Sequence, residues 1–229
     1  MLDVRTLIVV LVFNSLIIAA SMAVSAEFRL REGIGKWTCS LLLQAVMWVC
    51  YGMRGDWPDV ATVVVPNTLF VIGTTLQVSA TIDFYGRRLN LLWHVVPPLL
   101  FAALFFAVLP NPTQQAVATG TVLGLSMLIA GIVVNRLADS RRPARWMLVV
   151  GFLAAATALL LRAIFSFVDP TALRDFLAPS PIQVFTLLVC LAVMIVTSVG
   201  FMLLHKERLE ETAQRLAVTD PLTGAFNRR

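Results

Sequence analysis

Residues 182–218 read IQVFTLLVCLAVMIVTSVGFMLLHKERLEETAQRLAV. From 182 to 204 there is no charged side chain, and at His205 the composition turns abruptly polar. About 20 apolar residues in a helix span the ~30 Å hydrocarbon core of a bilayer, so the first half has the length of a transmembrane helix. In the second half Leu209, Ala213 and Leu216 follow spacings of four and three, with Met202 seven before Leu209. This narrow apolar seam on a polar helix is the pattern of a short coiled coil. Lys206 with Glu210, and Glu211 with Arg215, stand four apart and support the helix by about 0.2–0.5 kcal/mol per pair. A membrane span that runs straight into a coiled-coil helix sets the expectation for everything upstream.

Moving towards the N-terminus, six further segments have spanning length, making seven in all: roughly 6–26, 35–53, 60–82, 90–109, 114–135, 145–168 and 182–204. The connectors carry turn chemistry at Arg54-Gly-Asp-Trp-Pro58, at Pro110-Asn-Pro112, and from Pro170 to Pro181. The 229 residues are 59% hydrophobic and only 14% charged, with a mean hydropathy of +0.85. Soluble domains carry about a quarter charged residues, so the composition belongs in a membrane. The net charge of +5 is concentrated in short loops, which argues for bilayer topology and against a nucleic-acid partner. Cys39, Cys50 and Cys190 lie inside apolar runs without metal-ligand spacing, and read as small buried hydrophobes.

Charge predicts the orientation. One set of connectors holds eleven basic residues: Arg29, Arg31, Lys36, Arg87, Arg88, Arg136, Arg141, Arg142, Arg145, Lys206 and Arg208. The opposite set holds three: Arg5, Arg54 and Arg174. By the positive-inside rule the N-terminus is outside and the tail cytoplasmic. Residues 1–26 also fit a secretory signal, with Val24-Ser25-Ala26 as a cleavage site. Cleavage would strand the tail outside and put Arg29, Arg31 and Lys36 on the wrong face, so the first segment is kept as a helix.

Downstream of the seam, Pro221 disfavours helix at Asp220, and Asp220 can cap a new turn with Pro221 in its first position. Gly224 marks the next break. The stretch Thr219-Asp220-Pro221-Leu222-Thr223-Gly224-Ala225-Phe226-Asn227-Arg228-Arg229 resembles the opening of a GGDEF domain, the diguanylate cyclase module. That family typically begins Asp-x-Leu-Thr-Gly-Leu-x-Asn-Arg-Arg behind a signalling helix; Ala225 stands here where Leu is usual. The resemblance implies a bacterial inner-membrane protein, paired as a homodimer, whose full-length form uses GTP and Mg. It also implies that the Gly-Gly-Asp/Glu-Glu-Phe loop and the metal-binding carboxylates belong beyond Arg229. None of them is present in this chain, which by this reading has no catalytic residue and makes no cyclic di-GMP itself. Asp220, Leu222, Thr223, Asn227, Arg228 and Arg229 would couple the helix, through Leu209, Ala213 and Leu216, to that module. Residues 48–88, WVCYGMRGDWPDVATVVVPNTLFVIGTTLQVSATIDFYGRR, resemble multi-span sensor halves of diguanylate cyclases. Their Trp-x-x-Tyr-Gly and Pro-Asn are also similar to sugar-facilitator proteins.

Polar side chains inside a bilayer are costly and face protein or water, so their placement is informative. Trp37, Ser40, Gln44, Trp48 and Tyr51 share one face of the second segment; Asn67, Thr74, Gln77 and Thr81 share one face of the third, after a kink expected at Pro66. Asn14, Ser21 and Ser25 line up on the first, and Arg162 is the one arginine deep within a span. The predicted topology puts Asn14, Tyr51, Asn67 and Arg162 in the outer half. One expectation is a cavity facing the periplasm or outer leaflet, lined by Trp48, Tyr51, Asn67 and Arg162, with Asn14, Gln44, Thr74 and Gln77 as further candidate ligand-binding residues, taking a small anionic ligand. The alternative is that these residues are interhelical hydrogen bonds that hold the bundle, with Arg162 snorkelling or paired to Asp169 or Asp175.

Gly120 and Gly124 form a GxxxG for close helix contact, within or between protomers. Trp57, Trp93 and Trp146 fall near span ends, as interfacial anchors do. His94 and His205 read as interfacial histidines, and no metal site is expected. The lysines, Lys36 and Lys206, lie outside the span interiors and leave no site for a retinal Schiff base; there is also no Met-His-Tyr-Thr motif.

The expected architecture is an all-α integral membrane protein: a seven-transmembrane-helix bundle over 1–204, a cytoplasmic signalling helix over 205–219, and the first residues of a GGDEF domain over 220–229. Its partners are the lipid bilayer and a second copy. The expected function is a sensory input domain. Competing readings are a small-solute transporter, with Pro66 and Pro97-Pro98 as broken-helix signals, and a non-sensing dimerisation anchor.

Overall fold

The computed structural model describes residues 3–25, 33–137, 142–169, 176–178 and 180–218, the side chains of 25 and 215–218 excepted. These residues form seven α-helices: α1 Val4–Ser25, α2 Ile34–Gly52, α3 Val65–Phe84, α4 Leu92–Ala107, α5 Pro112–Leu137, α6 Arg145–Val168 and α7 Pro181–Val218. A π-helical turn, Val60–Val64, leads into α3. No strand forms among the described residues.

Local chemistry sets the helix starts. Asp3 precedes α1, and its Oδ2 accepts from Thr6 N and Thr6 Oγ1, each at 3.1 Å. These bonds hold its carboxyl below the usual carboxylate range. Asn111 caps α5: its Oδ1 accepts from Thr113 N at 3.1 Å and Gln114 N at 3.2 Å, and Pro112 fills the first helical position, where a missing N–H costs nothing. At Pro66 the kink expected from sequence takes the form of the π-helical turn that precedes it. A proline cannot donate to the carbonyl four residues back, and a locally wider register accommodates the missing bond.

Six helices close a ring in the order α1, α2, α3, α5, α6, α7, with α7 returning to α1. The seventh, α4, lies outside the ring against α3, with lesser contact to the π turn and α5. Most of its large side chains, including Trp93, Leu99, Leu100 and Phe106, are exposed. Small residues let the ring close tightly. A Cβ at Gly120 would lie 2.7 Å from the Leu159 carbonyl oxygen, and one at Gly124 would lie 2.8 Å from Leu160 Cγ. The GxxxG therefore joins α5 to α6 within one chain.

Five helical stretches are long and apolar enough to cross a membrane: Val4–Val24, Val60–Phe84, Pro112–Leu137, Arg145–Val168 and Pro181–Gln214. The other two of the seven expected spans fall short of that test for different reasons. With 16 residues, α4 rises about 24 Å, and α2 carries Lys36, Ser40 and Gln44 along its 19 residues.

The two ends of the bundle differ in charge. At one end lie Lys36, paired with Asp83 at 2.7 Å, and Arg142, paired with Glu211 at 2.7 Å. At this end the Arg208 guanidinium sits 4.0 Å from the centre of the Phe84 ring and its Nη2 donates to the Phe84 carbonyl oxygen at 2.5 Å. At the other end the turn after α2 brings Arg54 to Gln115 at the start of α5. Of the basic residues counted for orientation, Arg29, Arg31, Arg141 and Arg174 lie outside the described residues.

Candidate functional site

The buried polar side chains gather at three levels of the bundle. At the Arg54 end, Tyr51 on α2 donates from its hydroxyl to Asn67 Oδ1 on α3 at 2.8 Å. Asn67 Nδ2 in turn donates to the Val63 carbonyl oxygen at 2.7 Å, so the π turn supplies an acceptor that fixes the amide. The Tyr51 ring stacks on Phe176 with centroids 4.8 Å apart. Phe176, in the connector before α7, also faces two guanidinium groups, Arg54 and Arg162, each 5.8 Å from its ring centre.

Arg162 is buried, 4% exposed. It does not snorkel. Its Nε donates to Gln183 Oε1 on α7 at 3.1 Å, and its Nη1 is buried with no hydrogen-bond partner. Asp175, one of the acids expected to pair with it, lies outside the described residues. Arg54 Nη2 donates to Gln115 Oε1 at 2.5 Å, and Gln115 Nε2 donates to the Leu109 carbonyl oxygen at 2.5 Å. Between these groups is a cavity of about 10 Å³ lined by Tyr51, Arg54, Pro112, Gln115, Ala116, Thr119, Arg162 and Phe176.

A second cavity, about 40 Å³, lies within the ring between α2, α3, α5, α6 and α7. Gln44, Trp48 and Gln77 line it, with Met47, Met127, Met194, Phe70, Phe152, Cys190 and Thr197 among the remaining walls. The Trp48 indole nitrogen is buried and has no hydrogen-bond partner. Trp48 and Tyr51 are 5.8 Å apart, ring centre to ring centre, so the two cavities are neighbours along α2.

The structure thus divides the residues that the sequence assigned to a single cavity. Tyr51 and Arg162 line the smaller one; Trp48, Gln44 and Gln77 line the larger; Asn67 stands behind Tyr51 as its acceptor. Thr74 is buried and donates to the Phe70 carbonyl oxygen at 2.9 Å, satisfied within its own helix. Asn14 lines neither cavity. On α1 the buried polar residue is instead Ser15, whose hydroxyl donates to the Leu11 carbonyl oxygen at 2.7 Å and lies 3.1 Å from Met194 Sδ. Ser21 is exposed, and the Ser25 side chain lies outside the described residues. Of the cysteines, Cys50 is buried, Cys190 half-buried and Cys39 exposed, so the expectation of three buried hydrophobes is corrected at Cys39. Gln115, Phe176 and Gln183 were not singled out from sequence, and Arg54 was read there only as part of a turn and of the charge count.

The third level is the Arg208 end, where α7 leaves the ring. Trp37 stacks on Phe201 at 4.3 Å and its indole nitrogen donates to Ser198 Oγ at 3.2 Å. One helical turn on, His205 packs between Phe201 and Phe84. Phe84 is fully buried and faces the guanidinium groups of both Arg142 and Arg208. The Ala144 backbone N–H donates to Glu207 Oε1 at 3.2 Å. Among the described residues no three His, Cys, Asp or Glu side chains converge as a metal-ligand set.

Beyond this clamp, Lys206 and Glu210 form the expected ion pair at 3.5 Å, whereas Glu211 reaches Arg142. Leu209 is 56% exposed and Ala213 is exposed. The Leu216 side chain and residues Asp220, Leu222, Thr223, Asn227, Arg228 and Arg229 lie outside the described residues. Compared with protein-family models, curated proteins and solved structures, the chain matches none.

Proposed function

We propose that this chain is the membrane-embedded regulatory input domain of a diguanylate cyclase, seven helices threading the bacterial inner membrane with the N-terminus outside. A signal received in the bundle reaches the cyclase module through α7, paired with α7 of a second copy. Three things support the reading: the resemblance of 219–229 to the opening of a GGDEF domain, the basic residues gathered at the Arg208 end, and the continuity of α7. That last observation carries most weight. The 38 residues of α7 extend about 57 Å, almost twice the ~30 Å hydrocarbon core. The same helix that holds Gln183 against Arg162 therefore continues past the clamp at Phe84 into the exposed stretch bearing Leu209 and Ala213. A rotation or shift of this rod in the bundle is delivered without a joint to its far end, and paired helices repack between discrete arrangements. In the full-length protein GTP and Mg would be used downstream of Arg229, not by these residues.

Inserting one alanine between Thr212 and Ala213 rotates everything beyond it by about 100°. In the full-length protein this insertion is expected to change cyclic di-GMP output at least several-fold; unchanged output contradicts transmission through the helix. The small volumes of the two cavities, about 10 and 40 Å³, favour a second reading over solute transport: an anchor that only dimerises the output module. Replacing the bundle with an unrelated dimeric anchor and retaining full regulation would establish that reading instead.

A further inference from the structure

We infer that the cavity inside the ring, beside Trp48, binds a small neutral molecule carrying a hydroxyl or carbonyl oxygen, of the class of short-chain alcohols and ketones. Any signalling consequence rests on the input-domain reading; the site itself does not. Trp48 sets the first requirement. It is 6% exposed and lines this cavity, and its indole N–H is buried with no hydrogen-bond partner. An indole nitrogen only donates, and a buried donor left unpaired is costly, so the fitting occupant brings an acceptor. Gln44 and Gln77 add two amides to the same walls, each with donor and acceptor capacity. The Thr197 hydroxyl is already given to the Val193 carbonyl oxygen at 2.8 Å.

Charge and size narrow the class. Among the described residues no Asp, Glu, Lys, Arg or His lines the cavity, so an ion there would lose its hydration without a counter-charge. This sets the occupant apart from the anionic ligand expected from sequence. A single water needs about 10–15 Å³ of such space, and the cavity offers about 40 Å³. That is room for about three or four small non-hydrogen atoms. Water could accept from Trp48, but most of the remaining walls are apolar, among them Met127, Phe152, Leu159 and Met194, and give further waters nothing to bond. One oxygen on a short carbon skeleton satisfies both the donor and these walls. The flexible methionines adapt to its outline. On α7 the lining residues are Cys190, Val193, Met194 and Thr197, spaced as one face of a helix. The occupant therefore packs directly against the helix that leaves the bundle.

The test uses the purified 229-residue chain in lipid nanodiscs, with its five tryptophans labelled with nitrogen-15. The Trp48 indole resonance is assigned by its loss in Trp48→Phe, and the native chain is titrated with acetone, isobutene and acetate. Acetone is expected to move the Trp48 resonance downfield and saturably, leaving the others in place. Isobutene has the shape of acetone without its oxygen and is expected to give no downfield movement; acetate, of the same size but charged, is expected to give none at all. Ala155→Leu, which fills the cavity, is expected to abolish the response to acetone. No saturable movement of the native resonance would overturn the proposal, as would an equal response to acetate or a response that persists in a folded A155L. A bound water that contacts the Trp48 N–H and is not displaced by acetone would overturn it too. Should A155L fail to fold, a nuclear Overhauser contact between the acetone methyls and the Trp48 ring decides: its presence supports the site and its absence refutes it. Saturable binding without any effect of acetone on full-length cyclase output leaves the site standing and removes its sensory role.

Discussion

At the scale of single residues, many of the buried polar groups answer to one rule: in a low-dielectric interior a donor without an acceptor is costly, so a partner lies nearby, the Trp48 indole nitrogen and Arg162 Nη1 excepted. Tyr51 and Asn67 show it between helices and Thr74 within one. Asn67→Leu leaves the Tyr51 hydroxyl without its acceptor, and hydrogen bonds between membrane helices are worth about 0.6–2 kcal/mol. Unfolding of the purified chain in a graded detergent mixture is expected to show a loss of that size. No loss would mean that Tyr51 finds another acceptor, and that this bond does not hold α2 to α3. Arg162 was legible in the sequence because it stands alone among the apolar residues of its segment. Its neighbours were not. Gln183 and Gln115 sit near helix starts, where a glutamine in the sequence reads as interfacial, and Phe176 sits in a connector. Only the closing of the ring brings them to Arg162. The choice of Asn14 over Ser15 turned on one residue, and one residue is about 100° of helix. Sequence gave no reference from which to set that angle.

At the scale of elements, the lengths of the apolar runs located all seven helices, because burying a backbone in hydrocarbon demands internally bonded segments. Their roles within the fold were less legible. Both α2 and α4 read as spans of the same kind, yet α2 is built into the ring and α4 rests outside it. Composition reports how apolar a helix is; it does not report whether neighbours or lipid cover it. The GxxxG was legible as a contact but not as a contact within one chain, since close approach looks the same from either side. That placement has a consequence for Gly120. A side chain there meets the Leu159 carbonyl and the Ala163 backbone, which cannot move as a flexible side chain would. Gly120→Leu is expected to destabilise the bundle by about 1–3 kcal/mol without altering the oligomeric state of the chain that still folds. A change from dimer to monomer on size-exclusion chromatography with unaltered stability would instead assign the motif to an interface between copies.

At the scale of the whole molecule, the ring carries the buried Arg162 at one end and the clamp on α7 at the other. The clamp joins α3 and the connector before α6 to α7 through Phe84, Arg142, Ala144, Glu207 and Arg208. In the proposed mechanism, movement of either element is communicated through these contacts to the last helix where it leaves the bundle. This is what joins events near Arg162 to the C-terminal stretch in the proposed mechanism, and it requires α7 to emerge on the cytoplasmic side. The most direct measurement is a pair of reporter fusions at residue 229, alkaline phosphatase and a fluorescent protein, with a second pair in the turn at Gly55. The account predicts fluorescence without phosphatase activity at 229 and the reverse at Gly55. Phosphatase activity at 229 would place the tail outside, away from cellular GTP, and would contradict the account.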